Sequence, residues 1–143
     1  MTKTEYAALV EVTSPGSKVM RNCLRAFLIG GTICVIGQLF KNALLSLGLA
    51  QDNASLLTAC ILIVISVMLT SAGLYSKLGK FAGAGSIVPI TGFANAVTAP
   101  AIEYKKEGLI LGVGAKMFVI AGPVIVYGTL ASVVVGLIYY FVR

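Results

Sequence analysis

Residues 53–76 read NASLLTACILIVISVMLTSAGLYS and contain no charged side chain. At 1.5 Å per residue a helix of this length is about 36 Å long, enough to span the roughly 30 Å hydrocarbon core of a bilayer. The whole chain has this character: 58% of its 143 residues are hydrophobic and 11% are charged, whereas a soluble domain has about 25% charged residues. The sequence therefore predicts an all-α integral membrane protein with about four apolar segments.

Basic residues mark the N-terminal side of the first apolar stretch. Lys18, Arg21 and Arg25 form a collar there, and lysine and arginine concentrate on the cytoplasmic side of membrane helices. We therefore expect residues 1–22 to form a cytoplasmic arm and residues 23–143 a polytopic membrane domain. Since the cations flank apolar segments, the net charge of +6 does not indicate binding to nucleic acid.

The arm and the second connection have features of their own. Residues 3–11 fit a short amphipathic helix, and SPGS at residues 14–17 is a turn signal. If the first two apolar stretches form a simple membrane hairpin, the basic connection over residues 77–80 lies on the same side as the arm.

The third apolar stretch, residues 81–100, reads FAGAGSIVPITGFANAVTAP. Irregular backbone at membrane depth is tolerated only where it is buried in protein or lines a cavity, so these glycines and prolines predict a discontinuous or re-entrant helix. A full crossing would place Lys105 and Lys106 outside, and a re-entrant segment would keep them on the cytoplasmic side. We favour the re-entrant arrangement because it improves the lysine and arginine balance.

The last apolar stretch, residues 108–142, is too long for one simple crossing, and we expect Gly122-Pro123 to divide it. Part of it is similar to the first stretch: residues 27–39 read FLIGGTICVIGQL and residues 118–130 read FVIAGPVIVYGTL. Either the chain contains a duplicated element, or two glycine-rich membrane helices match by chance.

The composition argues against an enzyme. The chain has no histidine, five acidic residues scattered along its length and three cysteines without a close pair. We therefore expect no catalytic site, metal site or cofactor, and we expect Cys34 and Cys60 to serve as small packing residues.

The candidate solute-binding residues cluster in the third stretch. Ser86 and Pro89 suit the start of a half-helix, as a cap and a first-turn proline. The free N–H groups and positive potential of such an end favour an anion. Thr91, Gly92 and Asn95 follow closely, with polar side chains at two of these positions. The alternative is that this stretch only packs helices together.

Two further candidates lie outside this cluster. Gln38, deep in the first stretch, either contacts the solute or hydrogen-bonds to another helix. Glu103 either lines the mouth of a pathway or is an interfacial acid beside Lys105 and Lys106.

Glycines and a lysine give further expectations about packing. Gly30, Gly31 and Gly37 are predicted to form a close helix-packing face. Lys116 interrupts the last stretch and is expected at the interface, or else facing a polar cavity.

The quoted residues 27–38, residues 81–95 and the EYKKEGL run at residues 103–109 resemble the stage V sporulation AC/AE membrane family over nearly the whole chain. The basic arm resembles the AC type, because AE-type members start almost directly at the first membrane helix.

This resemblance implies a channel subunit in the spore inner membrane that moves dipicolinic acid with calcium, inward in sporulation and outward in germination. AC-type members are also described as mechanosensitive channels. The implied partners are an AE-type membrane subunit and a soluble AD-type subunit. The alternatives are a non-conducting structural subunit of the same complex, or the AE-type paralogue.

Overall fold

The computed structural model describes residues 2–13 and 18–142, and the regular elements in these ranges are all helical. They are α1 (Lys3–Thr13), α2 (Val19–Ser46), α3 (Gln51–Ser71), α4 (Leu74–Ala82), α5 (Pro89–Glu103) and α6 (Ala115–Val142). Three helical stretches are long and apolar enough to cross a membrane: Val19–Ser46, Gln51–Ser71 and Leu109–Val142. The expected all-α membrane fold is confirmed.

The arm contains the predicted short helix, α1. The turn predicted over residues 14–17 lies outside the described residues. Since α2 begins at Val19, Arg21 and Arg25 belong to its first two turns. Two of the three collar residues therefore belong to a membrane helix, and Lys18 immediately precedes it.

Helices α2 and α3 form an antiparallel hairpin. Gly48, with φ of +86°, ends α2 in a left-handed turn that glycine adopts without steric cost. The N–H groups of Gly48 and Leu49 donate to the carbonyl oxygens of Leu45 (3.0 Å) and Leu44 (3.3 Å), as in a Schellman motif. Gly37 then lies against Leu62, whose Cδ1 would be 3.3 Å from a Cβ placed on the glycine.

The predicted second span is too long at its C-terminal end. Helix α3 stops at Ser71, and Gly73, with φ of +70°, turns the chain before α4. The basic connection over residues 77–80 is accordingly helical, which corrects the prediction of a loop. Helix α4 is amphipathic: Tyr75 is buried, while Lys77 and Lys80 are exposed.

The third apolar stretch is discontinuous, as predicted. A 3₁₀ turn over Gly83–Ser86 and two non-helical residues separate α4 from α5. Helix α5 has 15 residues, or about 22 Å at 1.5 Å per residue, which is too short to cross a bilayer.

Helix α5 runs in the same direction as α3. Two hydrogen bonds join them, from Ser66 to Thr91 and between Thr70 and Asn95, and both connect residues 25 positions apart. Such a constant difference in number requires parallel helices. The chain therefore turns back into the bundle after α3 and leaves through α5 at the end where α3 ended, which is the geometry of a re-entrant segment.

The prediction that Gly122-Pro123 divides the last stretch is wrong. Helix α6 continues through Pro123, and the irregular part lies earlier, in a π-helical turn over Leu109–Gly114. Gly108, with φ of +97°, starts that turn, and its carbonyl oxygen accepts the N–H of Val113 at 3.1 Å. Membrane helices tolerate an internal proline where neighbours or local adjustments satisfy the freed carbonyl.

The expected glycine face is only partly formed. Gly30 lies against the backbone of Gly85, and Gly37 against Leu62, but nothing lies within 4 Å of a Cβ placed on Gly31. Cys34 and Cys60, expected to pack inside, are exposed on the outer surface. Successive helix positions point about 100° apart, so Gly31 turns away from the face that carries Gly30 and Gly37.

Candidate functional site: a cavity at the start of α5

A cavity of about 220 Å³ lies between α2, α3, α4 and α5. Its wall is mainly aliphatic, with four hydroxyl-bearing side chains and no charged residue. The lining residues are Ile29, Thr32, Ile33, Ile36, Leu62, Ile65, Ser66, Leu69, Tyr75, Leu78 and Thr91. Hydroxyl groups are therefore the only polar side-chain groups among the described lining residues.

Thr91 is the unusual hydroxyl of this wall. Its side chain is 6% exposed, and Oγ1 has no hydrogen-bond partner among the described residues. The other three hydroxyls donate to carbonyl oxygens: Thr32 to Leu28, Ser66 to Thr91 itself, and Tyr75 to Ser86. A buried polar group without a partner costs about 1–3 kcal/mol, so Thr91 carries an unused donor and acceptor at the cavity.

Asn95 lies one helical turn beyond Thr91 and faces α3. Its Oδ1 is 2.9 Å from Oγ1 of Thr70, which is also 2.7 Å from the carbonyl oxygen of Ser66. The Thr70 hydroxyl donates to both oxygens, so its single proton is shared between the Ser66 carbonyl and the Asn95 side chain. This network fixes α5 against α3 at the level of Thr91.

The Gly83–Ser86 turn is joined to the cavity wall through Tyr75. Tyr75 Oη donates a 2.8 Å hydrogen bond to the carbonyl oxygen of Ser86, and the Ser86 hydroxyl donates to that of Gly83 at 2.9 Å. Gly85 is buried against α2, where an added Cβ would lie 2.6 Å from the Cα of Ala26. Only glycine fits at this contact.

The start of α5 is compact. Pro89 occupies the first turn, as predicted, but the N-cap is Val88 and the Ser86 hydroxyl bonds to Gly83, so the expected Ser86 cap is wrong. The N–H of Gly92 donates to the carbonyl oxygen of Val88 at 2.7 Å. A Cβ on Gly92 would be 3.0 Å from the carbonyl oxygen of Ser86, so this glycine lets the helix fold back on the turn. Ser86, Pro89, Thr91, Gly92 and Asn95 thus form one local structure, with Thr91 at the cavity.

The remaining sequence candidates lie elsewhere. Gln38 is exposed, and its Nε2 donates to Oδ1 of Asn42 at 2.8 Å within the same helix. Glu103 is exposed at the far end of α5. Lys116 lies over the ring of Tyr104, 4.0 Å from the centroid, beside the charged Tyr104–Glu107 turn and away from the cavity.

Three residues of the site were not among the sequence candidates: Ser66, Thr70 and Tyr75. The second stretch appeared ordinary because it has no charge. Its buried residues nevertheless follow a four-residue spacing, at Ala54, Thr58, Leu62 and Ser66. Polar residues at that spacing in an apolar helix are the signal that could have revealed this face.

Comparison with known proteins agrees with this architecture. The family described as SpoVAC/SpoVAEB sporulation membrane protein matches residues 22–138. The chain belongs to this family. It is also 46% identical over 139 residues to stage V sporulation protein AC of Bacillus subtilis (strain 168), covering 96% of this chain and 93% of that protein. No solved structure matches the chain.

The match to the family begins in the first turn of α2 and ends four residues before the C-terminal end of α6. It therefore includes the cavity, the broken segment and the three apolar stretches that can cross a membrane. The protein is a sporulation membrane protein whose resemblance to the AC type extends over almost its full length.

Proposed function

We propose that this SpoVAC/SpoVAEB family member is a non-enzymatic channel subunit that moves dipicolinate, together with calcium, across the spore inner membrane. Uptake takes place in sporulation and release in germination. Its expected partners are an AE-type membrane subunit and a soluble AD-type subunit, and its N-terminal arm is expected in the cytoplasm.

The observation that carries this proposal is the buried, unpartnered Thr91 hydroxyl in the first turn of a half-helix. Ser66, its neighbour on α3, lies five residues before the end of that helix, or about 7.5 Å at 1.5 Å per residue. Helix α5 therefore begins inside the bundle and not at its surface. Half-helix N-termini at such depth favour the carboxylate groups of anionic solutes.

The uncharged lining of the cavity indicates a closed state of the channel. A dianion that entered this cavity would lose its hydration and be stabilised only by N–H groups and hydroxyls. The turn at Gly83–Ser86 presses on Ala26 and Gly30 of α2 and lies between the basic end of that helix and the cavity. We infer that opening moves this turn away from α2.

Calcium is proposed to accompany the anion instead of binding to this subunit. Within residues 2–13 and 18–142, no group of three or more His, Cys, Asp or Glu residues is close enough to hold a metal ion. Calcium prefers six to eight oxygen ligands, and the hydroxyl groups of the cavity do not replace carboxylates in that role.

A second candidate is a structural subunit that does not conduct, and helix α6 favours it. Every residue from 123 to 142 is exposed, so this part of α6 has its whole circumference available to lipid or to other subunits. A scaffold that holds partners in the membrane needs such a helix.

Reconstitution of the purified full-length protein into vesicles that contain calcium dipicolinate separates the two. A channel subunit releases dipicolinate or gives conductance in patch recordings when the bilayer is stretched. A scaffold gives neither until the partner subunits are added.

A further inference from the structure

The bundle has a second pocket, of about 310 Å³, at the end where α2 begins. It lies between the first turns of α2 and the chain from Lys80 to Ala84, and the cavity described above does not share any of its residues. Two cations line it, Arg25 from α2 and Lys80 from α4, together with the amide of Asn22. Charge thus converges from two elements that are distant in sequence.

Arg25 is held in place by an aromatic ring. Its guanidinium carbon lies 4.7 Å from the centroid of Phe81, within the range of a cation–π contact. This contact fixes Arg25 but leaves its N–H donors available. Among the described residues, neither Arg25 nor Lys80 forms an ion pair with a carboxylate. The pocket therefore carries two positive charges that the chain itself does not neutralise.

The surroundings of the pocket suit an amphiphile. Phe81 is 54% exposed at its wall, and Leu28, one turn beyond Arg25 along α2, is 56% exposed. Helix α4 is amphipathic, with Lys77 and Lys80 exposed on the side opposite buried Tyr75, as in helices that lie at a membrane interface. The pocket therefore offers cations to an anionic headgroup and, directly beside them, an apolar surface to the tail of the same ligand.

We propose that this pocket, formed by Asn22, Arg25, Phe81 and Lys80, binds the anionic headgroup of a membrane phospholipid. Arg25 donates to phosphate oxygens from its position on Phe81, Lys80 supplies a second charge, and the acyl chains lie along the exposed apolar face of α2. Basic pockets between membrane helices are known to hold anionic headgroups. A soluble dianion could bind the same two cations, but it has no acyl chains to cover the apolar face of α2.

The test uses detergent-solubilised full-length protein titrated with dioleoyl phosphatidylglycerol, with dioleoyl phosphatidylcholine as a neutral lipid of the same chains. Retained lipid is counted by native mass spectrometry. The variant Arg25→Gln/Lys80→Gln is compared with Lys105→Gln/Lys106→Gln, which removes the same charge from two exposed lysines on another segment. We expect the pocket variant to lose about thirtyfold in phosphatidylglycerol affinity and the control to change little.

A second variant keeps the charge and removes the ring. Phe81→Leu should lower phosphatidylglycerol affinity about two- to fivefold, because Arg25 loses the surface that positions it. It also keeps the proposal testable if the double variant does not fold.

Three results would overturn the proposal. The first is an equal loss of binding in the Lys105/Lys106 control. The second is equal retention of the two lipids by the unaltered protein. The third is displacement of phosphatidylglycerol by free dipicolinate at concentrations at which glycerol phosphate has no effect, which would assign the pocket to a soluble dicarboxylate.

Discussion

The hydroxyl of Tyr75, at the start of α4, donates a 2.8 Å hydrogen bond to the backbone carbonyl oxygen of Ser86, the last residue of the turn that separates α4 from α5. Tyr75 is 4% exposed, so this bond forms in an apolar setting, where the loss of a partner is costly. It joins the two ends of the broken segment beside the cavity. The turn is therefore held by a side chain of α4 as well as by its own internal hydrogen bonds.

Tyr75→Phe removes this bond and keeps the ring. We expect about 1 kcal/mol less stability and a higher basal leak of dipicolinate, because the turn then leaves α2 more easily. Leak is measured as dipicolinate fluorescence with terbium outside loaded vesicles. Tyr127→Phe is the matched control, since Tyr127 is 73% exposed on α6. Equal leak from the two variants would contradict a holding role for Tyr75.

Gly85 and Gly31 are predicted to differ in their tolerance of a methyl group. A Cβ on Gly85 would lie 2.6 Å from the Cα of Ala26, whereas nothing lies within 4 Å of one on Gly31. Gly85→Ala should therefore cost about 1–3 kcal/mol by overpacking, and Gly31→Ala should be close to neutral. Thermal unfolding of the purified variants checks this, and similar midpoints would show that the turn does not press on α2.

The sequence was sufficient for the membrane class and for the break in the third stretch, because both depend on local composition. Glycine and proline at residues 83–92 weaken helix formation locally, and the chain breaks within this stretch. The direction of α5, by contrast, could not be predicted from local composition. It depends on which residues of α3 meet Thr91 and Asn95, and that pairing is a tertiary property that no single segment encodes.

The errors have the same origin. Gly122-Pro123 has the composition of a break, yet α6 is continuous there, while the irregular turn lies over Leu109–Gly114, where the sequence analysis predicts no break. Tyr75 falls within the predicted second span, residues 53–76, but Gly73 places it in α4 with its ring buried. Local propensity predicts where a chain can bend, and packing decides which of these positions bend.

The bundle predicts the sidedness of the termini. The start of α2 and the end of α4 are in contact through Arg25 and Phe81, and α5 leaves the bundle at the end where α3 stops. In a background without native cysteines, Lys3→Cys, Lys80→Cys and Lys105→Cys should react with an impermeant reagent from the same side of the membrane. Val142→Cys, at the end of α6, should react from the other side. Labelling of positions 80 and 105 from opposite sides would show that α5 completes a crossing.

Asn95→Leu should reduce dipicolinate accumulation in spores, because the substitution removes the amide that holds α5 against Thr70 beside the cavity. Protein level and membrane insertion should remain near normal, since Thr70 can still donate to the carbonyl oxygen of Ser66. Val67→Leu, at an apolar position of α3, is the control and should accumulate normally. Full uptake and release by a stable Asn95→Leu protein would assign the broken segment to packing alone.

Thr91→Val gives the sharpest separation of stability from transport. The Thr91 hydroxyl is buried without a partner, so its replacement by a methyl group of similar size should leave the thermal unfolding midpoint unchanged or raise it. If that hydroxyl contacts the solute, the same change should lower dipicolinate flux through reconstituted vesicles severalfold. Thr129→Val makes the same replacement at an exposed position of α6 and should leave flux unaltered. A Thr91→Val protein that is more stable and still transports fully would exclude the cavity from the solute path, whereas loss of both stability and flux would show that the hydroxyl has a structural partner in the membrane.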